Sequence, residues 1–238
     1  MELLRKVTDL FTGKKADRIK EPISNTSLLL TITICTFIVM YVFAMIVWGR
    51  GFRNPQQFLD IFNNNAYLII VSCGLTIVMI TAGIDISVGG TVALITMSCV
   101  VLMEDYNGSI AGSILLALGI GLTMGVLQGL LVAYLDIQPF IVTLAGMFFT
   151  KGMTTIVSKA PRTATNEFFL AIKNLRIELP GIGVYGKTGN FIPARIEPGA
   201  LIALFLVLLI WAALKWTRFG RNLYAVGGSS ESALMLGI

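Results

Sequence analysis

Two side chains could do polar chemistry inside an otherwise apolar stretch: Asp85 and Ser87. They sit in Ala82-Gly83-Ile84-Asp85-Ile86-Ser87-Val88-Gly89-Gly90, between apolar runs at 66–82 and 91–103. A carboxylate near hydrocarbon is expensive and normally faces protein, water or the interface. The glycines let the backbone bend and let another backbone approach closely. The stretch therefore reads as a broken or tightly turned pair of helices. One reading is that Asp85 or Ser87 caps the helix that follows. The other is that Asp85, Ser87, Gly89 and Gly90 line a translocation path or shape its gate. Broken backbone at membrane depth is tolerated only where protein or water covers it.

Other chemistry is scarce. Lys151 is a second titratable group within an apolar run, which either snorkels toward an interface or faces a pathway. Asp85 and Lys151 fall on different runs, too few and too separated for a membrane-embedded active site. The chain has no histidine, which excludes a histidine-ligated metal and a histidine-based triad. Cys35, Cys73 and Cys99 lie in apolar runs without CxxC spacing and read as small buried hydrophobes. No metal site and no cofactor is expected. Gly181-Ile182-Gly183-Val184-Tyr185-Gly186-Lys187-Thr188 formally matches a phosphate-binding loop. That loop needs a buried strand before it and a helix after it. Gly189-Asn190-Phe191-Ile192-Pro193 follows instead, so the stretch reads as a glycine-rich turn in a surface loop.

The elements that must position these residues come from composition. The chain of 238 residues is 55% hydrophobic and 13% charged, with mean hydropathy +0.82. A soluble domain carries roughly 25% charged residues, and a soluble core does not need long apolar blocks. The expected fold is all-α: a polytopic membrane protein with six predicted spans at 28–48, 66–82, 86–103, 110–135, 139–157 and 199–216. A span needs about twenty apolar residues to cross a ~30 Å hydrocarbon layer. Residues 1–27 form a polar N-terminal segment without a cleavage signal, part of it suited to a short surface helix (Leu3, Leu4, Val7, Leu10, Phe11). Residues 49–65 read as a polar loop and 158–198 as a long mixed loop. Residues 217–238 read as a polar tail.

Net charge is +5. The basic residues gather at the termini and in one loop, which suits membrane topology and anionic lipid rather than nucleic acid. Alternation of spans puts residues 1–27, the Asp85 break, the Asp136 turn and the tail on one side. Six basic residues at the N-terminus with Lys215, Arg218 and Arg221 make that side cytoplasmic. Lys159, Arg162, Lys173, Arg176, Lys187 and Arg195 in the 158–198 loop oppose this assignment.

Two further patterns carry structure. Gly121, Gly125 and Gly129 recur at one-turn spacing and suit close helix packing or, in the alternative, a surface that slides during transport. In the tail, Gly227-Gly228 breaks the chain, and Ser229 or Ser230 can cap a new helix with Glu231 in its first turn. Ala233, Leu234, Met235 and Leu236 follow, an apolar group that needs a partner to cover it, unless the tail is simply the loop before a seventh span.

Three blocks occur in order: Gly83-Ile84-Asp85-Ile86-Ser87-Val88-Gly89, Gly129 to Leu135 running into Gln138-Pro139-Phe140-Ile141-Val142-Thr143-Leu144, and Gly220-Arg221 through Gly227-Gly228 to Gly237-Ile238. Together they resemble the permease subunits of bacterial ABC importers for ribose, galactose and related simple sugars. The resemblance covers the chain from about Gly74 to its end. It implies a subunit of about ten spans, of which this chain carries six, so the chain is expected to be a fragment or a truncated product. It implies a dimer with a second permease subunit in the bacterial inner membrane, N-terminus cytoplasmic. A cytoplasmic ABC ATPase docks on the tail, at Gly228, Ser229, Ser230, Glu231, Ala233, Leu234 and Gly237. An extracytoplasmic sugar-binding protein delivers a monosaccharide, and the permease itself catalyses nothing. The family often has Asn where Gln128 stands and a basic residue near Leu234. The competing function is an ATP-independent secondary transporter or channel.

Overall fold

A computed structural model describes residues 25–49, 52, 54–185 and 190–237. The expected surface helix within 1–27, together with Lys187 and Thr188, lies outside the described residues. The described chain is mostly helical. The helices are α1 (Asn25–Val47), α2 (Pro55–Ile80), α3 (Val88–Glu104), α4 (Ile110–Ala133), α5 (Pro139–Val157), α6 (Glu167–Lys173), α7 (Pro198–Trp216), α8 (Arg218–Gly228) and α9 (Ser230–Met235). Strands β1 (Ile177–Tyr185) and β2 (Phe191–Ile196) pair antiparallel between α6 and α7.

Among the described residues, α1, α2, α4, α5 and α7 are long and apolar enough to cross a membrane. The sixth apolar helix, α3, has 17 residues, a rise of about 25 Å. It is short because the chain before it, at 83–86, is not helical. Of the described residues, those up to Gln57 form one compact unit and those from Phe58 onward another. In the first unit, Tyr41 packs edge-on to Phe52 with ring centroids 6.0 Å apart.

Two expectations change. Residues 55–65 are not loop, because α2 begins at Pro55. Asn54 Oδ1 accepts from the Gln56 N–H at 2.9 Å, and proline fits a first turn where its missing N–H costs nothing. The polar residues of this turn have partners: Asn63 donates to the Arg195 carbonyl at 3.2 Å and accepts from the Glu197 N–H at 2.9 Å. The 158–198 loop is also more ordered than a mixed loop, since it holds α6 and the β1–β2 hairpin. Glu178 lies opposite Arg195 in the register, and their side chains pair at 3.1 Å. A small core of Ala66, Ile196, Ala200 and Ala203 joins α2, β2 and α7, with Phe62, Ile69 and Leu179 packed on it.

In the larger unit, polar contacts mark the two ends of the helices. At one end Glu104 accepts from the Thr165 N–H at 2.7 Å, the Thr165 hydroxyl and the Asn166 N–H at 3.1 Å. Arg162 pairs with Asp105 beside it at 3.0 Å. Hydrogen bonds from Thr165 hold the Glu104 carboxyl below its ordinary range. At the other end lie the break after α2 and the tail helices.

Candidate functional site: the break and its neighbours

α2 stops at Ile80 through a left-handed residue. The Ala82 N–H donates to the Met79 carbonyl and the Gly83 N–H to the Val78 carbonyl, both at 3.0 Å. This is the six-residue closure that usually has glycine at its left-handed position. Here that position is Ala82, with φ +59°, which costs about 1–2 kcal/mol for a residue with a Cβ. Gly83 follows, where a Cβ would press on Val78 at 3.0 Å. Strain of this kind persists only when the surroundings hold it in place.

The surroundings do so with hydrogen bonds. Thr143 of α5 donates to the Ile84 carbonyl at 3.1 Å. Asp85 Oδ1 accepts from the Ser87 N–H at 2.8 Å and from the Ser87 hydroxyl at 2.7 Å. Ser87 is the N-terminal flanking residue of α3 but makes no side-chain cap of its own. Asp85 satisfies a free N–H at that helix start instead. Ser87 is buried.

Gln128 of α4 completes the cluster, and sequence reading noted it only as a departure from a family pattern. Its Oε1 lies 3.1 Å from Ser87 Oγ, and its Nε2 is buried without a partner. One hydroxyl has one proton. If Ser87 gives that proton to the Asp85 carboxylate, the amide must donate to Ser87, which turns its Nε2 toward the hydroxyl. Gln128 reaches Ser87 because α5 has a glycine in the way: a Cβ on Gly146 would collide with Gln128 Nε2 and sit 3.4 Å from Ser87 Cβ. A glutamine within the apolar helix α4 was the available signal.

Asp85, Ser87, Thr91, Gly121, Gly125 and Gln128 line a cavity of about 160 Å³. Thus the structure brings Asp85 and Ser87 together with two of the stripe glycines. At Gly90 α3 and α5 lie close together: a Cβ there would strike Thr150 Oγ1 and lie 3.1 Å from the Met147 carbonyl, whereas Gly89 has open space. A Cβ on Gly121 meets only Ile95, at 3.8 Å, and Gly125 and Gly129 face nothing within 4 Å. Among α3, α4 and α5 the glycines pressed against a neighbouring helix are Gly90 and Gly146 rather than those of the stripe. No cluster of three or more Cys, Asp or Glu side chains suited to a metal occurs among the described residues.

The tail meets the break. Thr217 Oγ1 accepts from the Gly220 N–H at 3.3 Å and starts α8. α8 runs through Gly227 and Gly228, so the expected interruption comes one residue later. Ser229 Oγ accepts from the Ser232 N–H at 3.2 Å and starts α9, which holds Ser230, Glu231, Ala233 and Leu234. Ala233 is buried, while Leu234, Met235 and Leu236 are exposed. Gly237 closes α9 with φ +75°. Gly227 lies so near α2 that a Cβ there would overlap the Ile80 carbonyl oxygen, and it would stand 3.5 Å from Thr81 Cα.

Apolar helices around a broken, hydrogen-bonded segment define a polytopic membrane protein. Residues 57–238 match the family described as branched-chain amino acid transport system / permease component, and the chain belongs to that family. It is 32% identical over 209 residues to the inner membrane ABC transporter permease protein YjfF of Escherichia coli, covering 88% of this chain and 60% of that protein. It is 32% identical over 208 residues to the fructose import permease protein FruG of Bifidobacterium longum, covering 85% and 57%. It is 28% identical over 217 residues to the galactose/methyl galactoside import permease protein MglC of Escherichia coli, covering 84% and 61%. The chain therefore spans about 60% of the length of these curated relatives. No solved structure matches it.

Proposed function

We propose that the chain is part of the permease subunit of an ATP-driven importer for a monosaccharide. The family description speaks of amino acids, but the relatives named for a substrate are import permeases for fructose and galactose and a transport permease for D-allose. That shared substrate class is the observation that carries the reading.

In this reading the chain performs no chemistry. A separate cytoplasmic ABC ATPase docks on the tail around Gly228, Ser229, Ser230, Glu231, Ala233, Leu234 and Gly237. The exposed Leu234, Met235 and Leu236 give it an apolar surface to cover. An extracytoplasmic sugar-binding protein delivers substrate at the end marked by Glu104 and Arg162. The break, with Asp85, Ser87, Gly89 and Gly90, borders the path at the cytoplasmic end. The open face at Gly125 and Gly129 serves packing by a helix outside this chain, in a dimer with a second permease subunit. The protein sits in the bacterial inner membrane with its N-terminus cytoplasmic, on the side of Lys215, Arg218 and Arg221.

The test is affinity purification of the tagged chain from its native membrane in mild detergent. An ATPase should copurify in a one-to-one ratio with the permease, and Leu234→Asp should release it. Purification with no ATPase in either case contradicts the reading.

A further inference from the structure

We propose that Gly227 is a positioning residue, the point through which the tail helices hold and move the strained turn ahead of Asp85. The proposal rests on the reading of the tail as the ATPase-docking segment and names the contact that would transmit its motion. A Cβ at Gly227 would overlap the Ile80 carbonyl oxygen. The Cα hydrogen that takes the place of that Cβ therefore points at the carbonyl, the geometry of a weak C–H···O contact. Ile80 is the last residue of α2, two residues before the left-handed Ala82. Four residues beyond Ala82's neighbour Gly83 comes Ser87, whose hydroxyl and N–H hold Asp85.

The arrangement has no slack at this point and slack beside it. Gly228, the next residue of the same helix, faces nothing within 4 Å. The two glycines share a helix and gain similarly in helix propensity on change to alanine. Only at Gly227 does the new methyl group meet backbone that must shift. Because tail and turn touch backbone to backbone, a displacement of α8 is passed to the Ile80–Asp85 turn without a flexible side chain between them. The turn already stores strain at Ala82, held only by its surroundings, so a shift in what holds it changes its conformation.

The test uses the full chain in lipid nanodiscs, with Cys35, Cys73 and Cys99 changed to alanine and Ile84→Cys as the reporter, since Ile84 is exposed at the turn. The labelling rate with a maleimide is measured with and without Gly227→Ala or Gly228→Ala. Gly227→Ala should change the rate by about fivefold, the low end of ordinary coupling between sites. Gly228→Ala should leave it unchanged. Equal effects of both, or no effect of either, overturn the proposal. A reciprocal measurement covers the case in which Gly227→Ala does not fold: Ala82→Gly removes strain, and it should alter the mobility of a spin label at Leu234→Cys. An unchanged spectrum overturns the proposal. Neither readout needs sugar, ATPase or ATP, so a failure here is distinct from a failure of the transport reading.

Discussion

The Ser87 hydroxyl donates to Asp85 Oδ1 at 2.7 Å, and the Ser87 N–H donates to the same oxygen at 2.8 Å. One carboxylate oxygen thus ties down both donors of the residue just before α3. Asp85→Ala should cost about 0.5–2 kcal/mol of stability, the usual range for a lost helix-start acceptor. Asp85→Asn, which keeps an oxygen acceptor, should cost less. Thermal unfolding in detergent decides, and an Asp85→Asn loss as large as the Asp85→Ala loss would show that the hydrogen bonds are not the cause.

Gln128 and Gly146 should behave as a coupled pair. Gly146→Ala places a methyl group on Gln128 Nε2 and should destabilise by about 1–3 kcal/mol, the cost of overfilling a packed site. Gln128→Ala removes the obstacle, so the double variant should be more stable than the sum of the single effects predicts, by at least about 0.5 kcal/mol. Additive effects in the double-mutant cycle would count against the packing described here.

Gly89 and Gly90 are adjacent but not equivalent. Gly89→Ala should be neutral or stabilising by up to about 1 kcal/mol, the gain in helix propensity. Gly90→Ala should destabilise, because Thr150 and the Met147 carbonyl occupy the space its methyl group needs. Denaturation midpoints of the two variants make the comparison.

The Glu104 contact gives a pH dependence. Its carboxyl is held below the ordinary range by the Thr165 hydroxyl and N–H. A lowered folded value means that the stabilisation is present above the unfolded value, roughly 4.3, and is lost as pH falls through the folded one. Residues 162–166 should therefore gain hydrogen exchange in acid. Thr165→Val should flatten that dependence, and an unchanged profile would assign it to another group.

How much of this the sequence disclosed depended on the kind of signal. The break was legible because a carboxylate among glycines has few uses between apolar runs. The cap at Ser229 was legible because serine followed by Glu231 has local grammar. The start of α2 was not, since Asn63, Asn64 and Asn65 look like loop until Asn63 is seen bonding Arg195 and Glu197, more than a hundred residues away. The hairpin hid behind Pro180 and Gly181. The glycine stripe was conspicuous by its spacing, yet the tight contacts among α3, α4 and α5 fall at Gly90 and Gly146. Their partners, Thr150 and Gln128, are set by tertiary packing that spacing does not record.

The most direct measurement is sugar uptake into proteoliposomes holding the chain with the ATPase and sugar-binding protein proposed as its partners. Vesicles loaded with ATP should accumulate a labelled monosaccharide, and vesicles loaded with a non-hydrolysable analogue should not. Equal uptake in both would contradict the account.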